Sequence, residues 1–155
     1  MENGDSCENK LVMAGKNGWL ANYYKQIVKD MCLTNQVIFT GYVIGDEIVS
    51  LFAQADFFVM PSLYEGFGTT VLEAFATGTP AIVSGVSSIP EIAGDAAQFV
   101  NPLDVEDIAS AMLKLAKDES LKQSLREKGK QQVTKFDWTK CARETLEVYK
   151  TFENK

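Results

Sequence analysis

Apolar residues gather in five short runs along this chain, at Lys10–Gly15, Val37–Val43, Phe57–Ser62, Pro80–Gly85 and Gln98–Pro102, with stretches of helical periodicity among them. The middle runs are almost wholly apolar and are closed by Gly, Pro or Ser, the pattern of strands covered on both faces. Strands alternating with amphipathic helices predict β/α units on a parallel sheet, with right-handed crossovers. Trp19–Met31 and Glu47–Ala55 read as helices, and Thr70–Thr77 as a helix stopped by Gly78. After the last strand, Asp104 is the expected N-cap of a helix carrying Val105, Ile108, Met112 and Leu115 on one face. Leu121, Leu125 and Val133 mark another helix, and Asp137 opens a last one with Cys141, Leu146 and Tyr149 on its apolar side.

The length of 155 residues fits one domain, here residues 1–155, with a core of its own. An apolar share of 46% beside 23% charged residues places the chain among soluble globular proteins. No segment approaches a transmembrane span. Met1–Asn9 is a polar lead without a signal-peptide core, so a cytoplasmic location is expected. Cys7, Cys32 and Cys141 lack metal-ligand spacing and read as reduced thiols.

A net charge of −6 disfavours nucleic acid as a partner and favours small molecules. The one basic stretch, Lys122, Arg126, Lys128, Lys130 and Lys135, is interrupted by Glu127 and reads as a solvated helix face. The chain has no histidine, which removes Ser-His-Asp hydrolysis, histidine-based zinc sites and histidine acid–base catalysis within it. Chemistry must then fall to carboxylates, hydroxyls or the ligand.

One segment concentrates such groups. Glu65–Glu73 reads E-G-F-G-T-T-V-L-E, two carboxylates eight positions apart across a glycine-rich turn between a strand and a helix. Such a turn exposes backbone N–H groups at the positive end of a helix dipole, which suits phosphate or polyol oxygens. Thr70 and Glu73 also form a T-x-x-E pattern, so a capping box is a rival use of Glu73. Glu65, ahead of two glycines at the C-terminal edge of a parallel strand, lies where doubly wound sheets bind ligands. Asn101, Ser84 and Ser87 stand at similar edges, where ordinary turn chemistry suffices. The carboxylates lack the clustering of a metal site, so no metal and no cofactor is expected.

From Lys10 to Tyr149 the chain resembles the C-terminal, donor-binding domain of a GT-B-fold retaining glycosyltransferase of the group-1 (GT4) family. The resemblance rests on KLVMAG, VIFTGYV, ADFFVMPSLYEGFGTTVLEAFATGTPAIVS, IPEIAGDAAQFVNP and FDWTKCARETLEVY, in that order. Glu65 and Glu73 match that family's E-x7-E signature. The resemblance implies that Glu65, the candidate catalytic residue, meets hydroxyls of the donor sugar. It implies further that the Gly66, Phe67, Gly68 and Thr69 backbone approaches sugar and diphosphate, with Thr70 near the phosphates. Glu73 would hold the ribose, Tyr42 and Val43 would flank the base, and Gly15 would border the same cleft.

The implied whole is a two-domain enzyme moving a hexose from a nucleotide sugar to an acceptor hydroxyl with retention, in polysaccharide or glycoconjugate synthesis. Family members carry a further strand and helix with an Arg and a Lys for the diphosphate, and an N-terminal domain for the acceptor. Neither feature is found in these residues, so the chain reads as a fragment inactive in isolation. Thr69-Thr70 stands where Leu-Pro is commoner in the family. With the family's first strand bypassed, the expected fold class is α/β, a doubly wound parallel five-stranded sheet of order 2-1-3-4-5 with extra C-terminal helices. That order pairs Leu11–Gly15 directly with Phe57–Ser62.

The alternative function is a non-catalytic nucleotide-sugar-binding or interaction module. Its self-association would run through Trp138, Tyr149 and Phe152, and any peripheral membrane association through the full-length protein. A dehydrogenase reading fails because Gly66-Phe67-Gly68 is followed by Val71 where a third glycine is needed. A phosphoacceptor reading fails because Asp56 precedes its strand.

Overall fold

The structure, a computed structural model, describes residues 9–153. Most of the expected polar lead, and Cys7 with it, lies outside the described residues. Two compact units divide the chain, Met1–Ile48 and Val49–Lys155.

In the first unit β1 (Leu11–Ala14) and β2 (Val37–Gly41) pair in parallel, joined through α1 (Ala21–Asp30). Leu11 stands opposite Val37 and Met13 opposite Phe39, and the register slips between Met13 and Ala14. No side chain caps α1, whose N-cap is Leu20. It therefore starts two residues later than the apolar pattern, which began at Trp19. Cys32 ends the turn after α1 at φ 59°, with its N–H on the Lys29 carbonyl at 2.9 Å. Every residue of β1 is exposed.

The helix α2 (Asp46–Gln54) spans the division between the units. In the second unit β3 (Phe58–Met60), β4 (Ala81–Ser84) and β5 (Ala97–Val100) form a parallel sheet in the order β3-β4-β5. Around it run α3 (Thr69–Ala76), α4 (Ile89–Ala93), α5 (Val105–Lys117), α6 (Glu119–Val133) and α7 (Trp138–Glu153). Alternation along β4 sends neighbouring side chains to opposite faces. Ala81 and Val83 pack with Val71, Phe75, Ile89 and Ile92 from α3 and α4. Ile82 packs on the other face with Ala111, Leu115 and Leu125 from α5 and α6. Helices on both faces explain why β4 is buried throughout and why its sequence does not alternate.

Within the units β1 takes β2, β3 takes β4 and β4 takes β5, all parallel. Each unit thus carries its own parallel ladder, of two strands in the first and three in the second. An apolar run reports that a strand is to be covered, but it does not say which strand lies beside it.

Three helices are capped by aspartate side chains among the described residues. Asp104 accepts from the N–H groups of Glu106 and Asp107 at 3.0 and 3.1 Å, as the sequence predicts. Asp118 accepts from Leu121 N–H at 2.9 Å, and Asp137 from those of Thr139 and Lys140 at 3.1 Å each. The short helix α4 was not expected, since five residues are too few for periodicity to show.

The basic stretch on α6 is not uniformly solvated. Lys122 is buried, its ammonium 2.7 Å from Asp56 and 2.8 Å from Glu119. Asp56 at the entry to β3, and after it Glu119, hold this ammonium above the usual lysine pKa. Charge spacing alone could not reveal a partner 66 residues away. On the same helix, a Cβ at Gly129 would lie 2.9 Å from the Phe75 ring, so glycine there lets α6 pack closely on α3.

Candidate functional site

In the second unit β3 leads into the turn Pro61–Gly68 and then into α3. Gly68 is the N-cap of α3 at φ 106°, ψ 38°. Any Cβ there would come within 2.7 Å of Ile89 Cδ1, a side chain with no exposed surface, so only glycine fits. No side chain caps the helix. The capping-box alternative for Thr70 and Glu73 is therefore not realised, because the cap lies two residues ahead of Thr70. The Val71 N–H turns back to the Gly68 carbonyl at 3.0 Å, and the amides of Thr69 and Thr70 ahead of it are left to solvent or a ligand.

Glu65 is half-buried and Glu73 exposed. Ser62 Oγ donates to Glu65 Oε1 at 2.8 Å. Ser87 Oγ donates to the Glu65 carbonyl at 2.7 Å and accepts from the Glu65 N–H at 3.3 Å. Ser88 Oγ stands 2.9 Å from the Glu65 carbonyl and 2.9 Å from that of Phe67. The Phe67 ring meets Phe136 edge to face at a centroid separation of 6.1 Å. Apart from its two chain neighbours, none of the described residues lies within 4 Å of a Cβ built on Gly66, so the space beside that glycine is open. Glu73 sits one helical turn into α3; its carbonyl accepts from the Thr77 hydroxyl at 3.1 Å, while its carboxylate makes no hydrogen bond or ion pair among the described residues.

Sequence reasoning placed Ser87 among ordinary turn residues, yet its hydroxyl reaches 22 positions back along the chain. Its φ of 60° is left-handed, unusual for a non-glycine residue. Ser88 and Ser62 were missed altogether, because neither a hydrogen bond between two turns nor one inside an irregular turn leaves a periodic mark. Asn101 is turn chemistry as expected, its Oδ1 accepting from Leu103 N–H at 3.0 Å. Ser84 differs from that expectation: its hydroxyl is fully buried and unpartnered among the described residues.

In the first unit, Gly15 follows β1 at φ 148° and donates its N–H to the Gly41 carbonyl at 2.9 Å. It lines a cavity of about 360 Å³ with Met13, Lys16, Trp19, Tyr24 and Phe39 among others. Tyr42 is exposed and Val43 half-buried, directly after β2. Among the described residues no group of three or more Cys, Asp or Glu could hold a metal ion, and no helix is long and apolar enough to cross a membrane.

Helices on both faces of a parallel sheet, with a glycine turn and carboxylate at its C-terminal edge, define a Rossmann-like ligand-binding domain. Sucrose-phosphate synthase from Thermosynechococcus elongatus has this architecture. It superposes with a TM-score of 0.84 at 25% identity, over 94% of this chain and 39% of that one. The chain belongs to the family described as glycosyl transferases group 1, which matches residues 5–132, and its fold is that of the C-terminal domain of GT-B enzymes. It is 35% identical to O-antigen chain mannosyltransferase B of Escherichia coli over 140 residues, 90% of this chain and 37% of that protein. Mannosylfructose-phosphate synthase of Agrobacterium fabrum is 35% identical over 130 residues, 82% of this chain and 29% of that protein. The chain thus spans well under half the length of these relatives.

Proposed function

We propose that this chain is the nucleotide-sugar-binding part of a retaining hexosyltransferase that glycosylates an acceptor hydroxyl in polysaccharide or glycoconjugate synthesis. The observation that carries the reading is the uncapped first turn of α3 behind Gly68, with the Glu65 carboxylate fixed beside it. Membership of the family supports it, as do relatives named for mannosyl transfer.

In this reading the Gly66–Thr69 backbone and Thr70 face the sugar and diphosphate. Glu65 accepts hydrogen bonds from sugar hydroxyls, and Glu73 from the ribose. Cleavage of the bond from anomeric carbon to diphosphate builds positive charge on the sugar and sends the electron pair to the leaving diphosphate. Backbone N–H dipoles at the start of α3 stabilise that oxygen charge without reorganising. No metal is assigned a part. Turnover then requires an acceptor-binding domain, so this chain alone binds donor without transferring sugar, in the cytoplasm.

Ligand-observed NMR of the chain with UDP-, GDP- and ADP-hexoses tests this, repeated with Glu73→Gln. Selective binding of one donor, lost in the variant, is the expected result. Equal saturation transfer to all three, or none at millimolar donor, would refute donor recognition by this chain.

A second reading, an interaction module, is favoured by α7. Every described side chain on it is exposed, among them Trp138 at 83%, Tyr149 at 64% and Phe152 at 68%. Such a stripe suits a partner surface. Light scattering over a dilution series would show a concentration-dependent mass if the partner is a second copy.

A further inference from the structure

Three hydroxyls without an assigned role converge on Glu65. The turn that carries this carboxylate is built of residues that do not hold themselves: Gly66 and Gly68 are permissive, and no side chain caps the helix that follows. Its fixed points come from elsewhere. Ser87 and Ser88, in the turn between β4 and α4, fasten the backbone of Glu65 and Phe67 through four contacts of 2.7 to 3.3 Å. Ser62 fastens the carboxylate itself through Oε1 at 2.8 Å.

We propose that Ser62, Ser87 and Ser88 are positioning residues for sugar recognition, the first setting the Glu65 carboxylate and the other two locking the turn that carries it. The proposal rests on the donor-binding reading above.

A glutamate side chain loses considerable rotamer freedom when it is fixed, and a partner that fixes it beforehand spares the ligand that cost. The Ser62 bond occupies one lone pair of Oε1 and leaves Oε2 for sugar hydroxyls. Ser87 adopts a left-handed φ of 60°, a conformation that costs free energy in a residue with a Cβ. The strained backbone puts its Oγ where it both donates to and accepts from the Glu65 peptide groups, which a glycine at this position could not do. Ser88 is the N-cap of α4 yet makes no cap hydrogen bond; its hydroxyl faces the Glu65 and Phe67 carbonyls instead. Two turns from neighbouring parallel strands are thereby locked at the one point where a carboxylate must hold its direction.

The test compares the affinity of each nucleotide hexose with that of its bare diphosphate, using UDP, GDP, ADP and their glucose and mannose conjugates. The chain is studied as it stands and as Ser62→Ala, Ser62→Thr and the double variant Ser87→Ala/Ser88→Ala. Ser62→Ala should reduce the preference for sugar conjugate over diphosphate by about tenfold, the scale of one hydrogen bond to a charged group. Diphosphate affinity should stay within about twofold, since the α3 amides are untouched. Ser62→Thr should restore most of the preference.

Amide hydrogen exchange of Glu65–Thr69 without ligand gives an independent readout, expected to quicken about tenfold in the double variant on loss of roughly one net hydrogen bond. An unchanged preference in Ser62→Ala, or unchanged exchange in the double variant, overturns the proposal. Equal loss of diphosphate and conjugate affinity together with a lowered Tm would make the serines simple staples, and overturns it too. If the unaltered chain shows no preference for any conjugate, it is the donor-binding reading that fails, and the inference with it.

Discussion

Two strand-to-helix turns at the same edge of the second unit's sheet solve the same problem in opposite ways. Between β5 and α5 the chain closes on itself. Asn101 accepts from Leu103, Asp107 accepts from the Asn101 N–H at 2.7 Å, and Asp104 takes the amides of Glu106 and Asp107. All partners lie within six residues of one another. Between β3 and α3 the cap is a glycine, no side chain takes the first-turn amides, and the side chains that brace its backbone come from 21 to 23 residues away. A turn that satisfies itself is structure. A turn that leaves its amides open and borrows its rigidity has the form that the proposed donor site requires.

The largest effect should follow from removing the property that keeps the α3 turn open. Gly68→Ala forces a side chain into a φ of 106° and against buried Ile89 at 2.7 Å. A loss of roughly 2–3 kcal/mol is expected in chemical denaturation, the scale of backbone strain joined to overpacking. Donor binding should disappear with it. A variant as stable as the original would mean that the turn relaxes easily, and the contrast between the two turns would weaken.

The matching change in the closed turn, Asp104→Ala, should cost about 1 kcal/mol, as for other N-cap deletions. Donor affinity should not move. Isothermal titration with the selected nucleotide hexose separates the two variants, and a donor defect in Asp104→Ala would break the comparison.

The opposite end of β3 supplies a control. Asp56 and Lys122 join the entry of that strand to α6, far in sequence from the glycine turn. Lys122→Ala should destabilise by about 1 kcal/mol, given that Asp56 is partly exposed and Glu119 more so. The paired lysine has a raised pKa. Its contribution is therefore complete below the ordinary lysine value of 10.5 and is lost as pH climbs through the folded-state value. Denaturation midpoints measured from neutral to strongly alkaline pH should converge for the original and Lys122→Ala.

How much of this was legible beforehand divides along the same line. Elements governed by local chemistry could be read: Asp104 and Asp137 as caps, Gly78 as a stop at φ 75°, and the buried β4 as an unbroken apolar run. The glycine turn and its two carboxylates were legible because all of them lie in one stretch of chain. What escaped reading depends on distant partners. The hydroxyls of Ser87 and Ser88 serve a turn that precedes them by some twenty residues, and Lys122 looked like surface charge until Asp56 was placed beside it.

The smallest effect sharpens the comparison at a third helix start. The Asp118 carboxyl, at the head of α6, is held below the usual aspartate range by the Ser120 hydroxyl first and by the Leu121 N–H next. A depressed folded-state pKa means that its contribution is present above the ordinary value of 3.8 and fades as pH falls through the folded-state value. Amide exchange in the first turn of α6 should therefore quicken on acidification, and Asp118→Asn should remove most of that dependence. The first turn of α3 has no carboxylate cap to lose, so its exchange, corrected for the intrinsic pH dependence, should stay level over the same range. A parallel rise at Thr69 and Thr70 would show that α3 does take a carboxylate at its N-terminus, from Glu65 or Glu73 on either side in sequence, and the distinction between a self-satisfied and an open helix start would fail there.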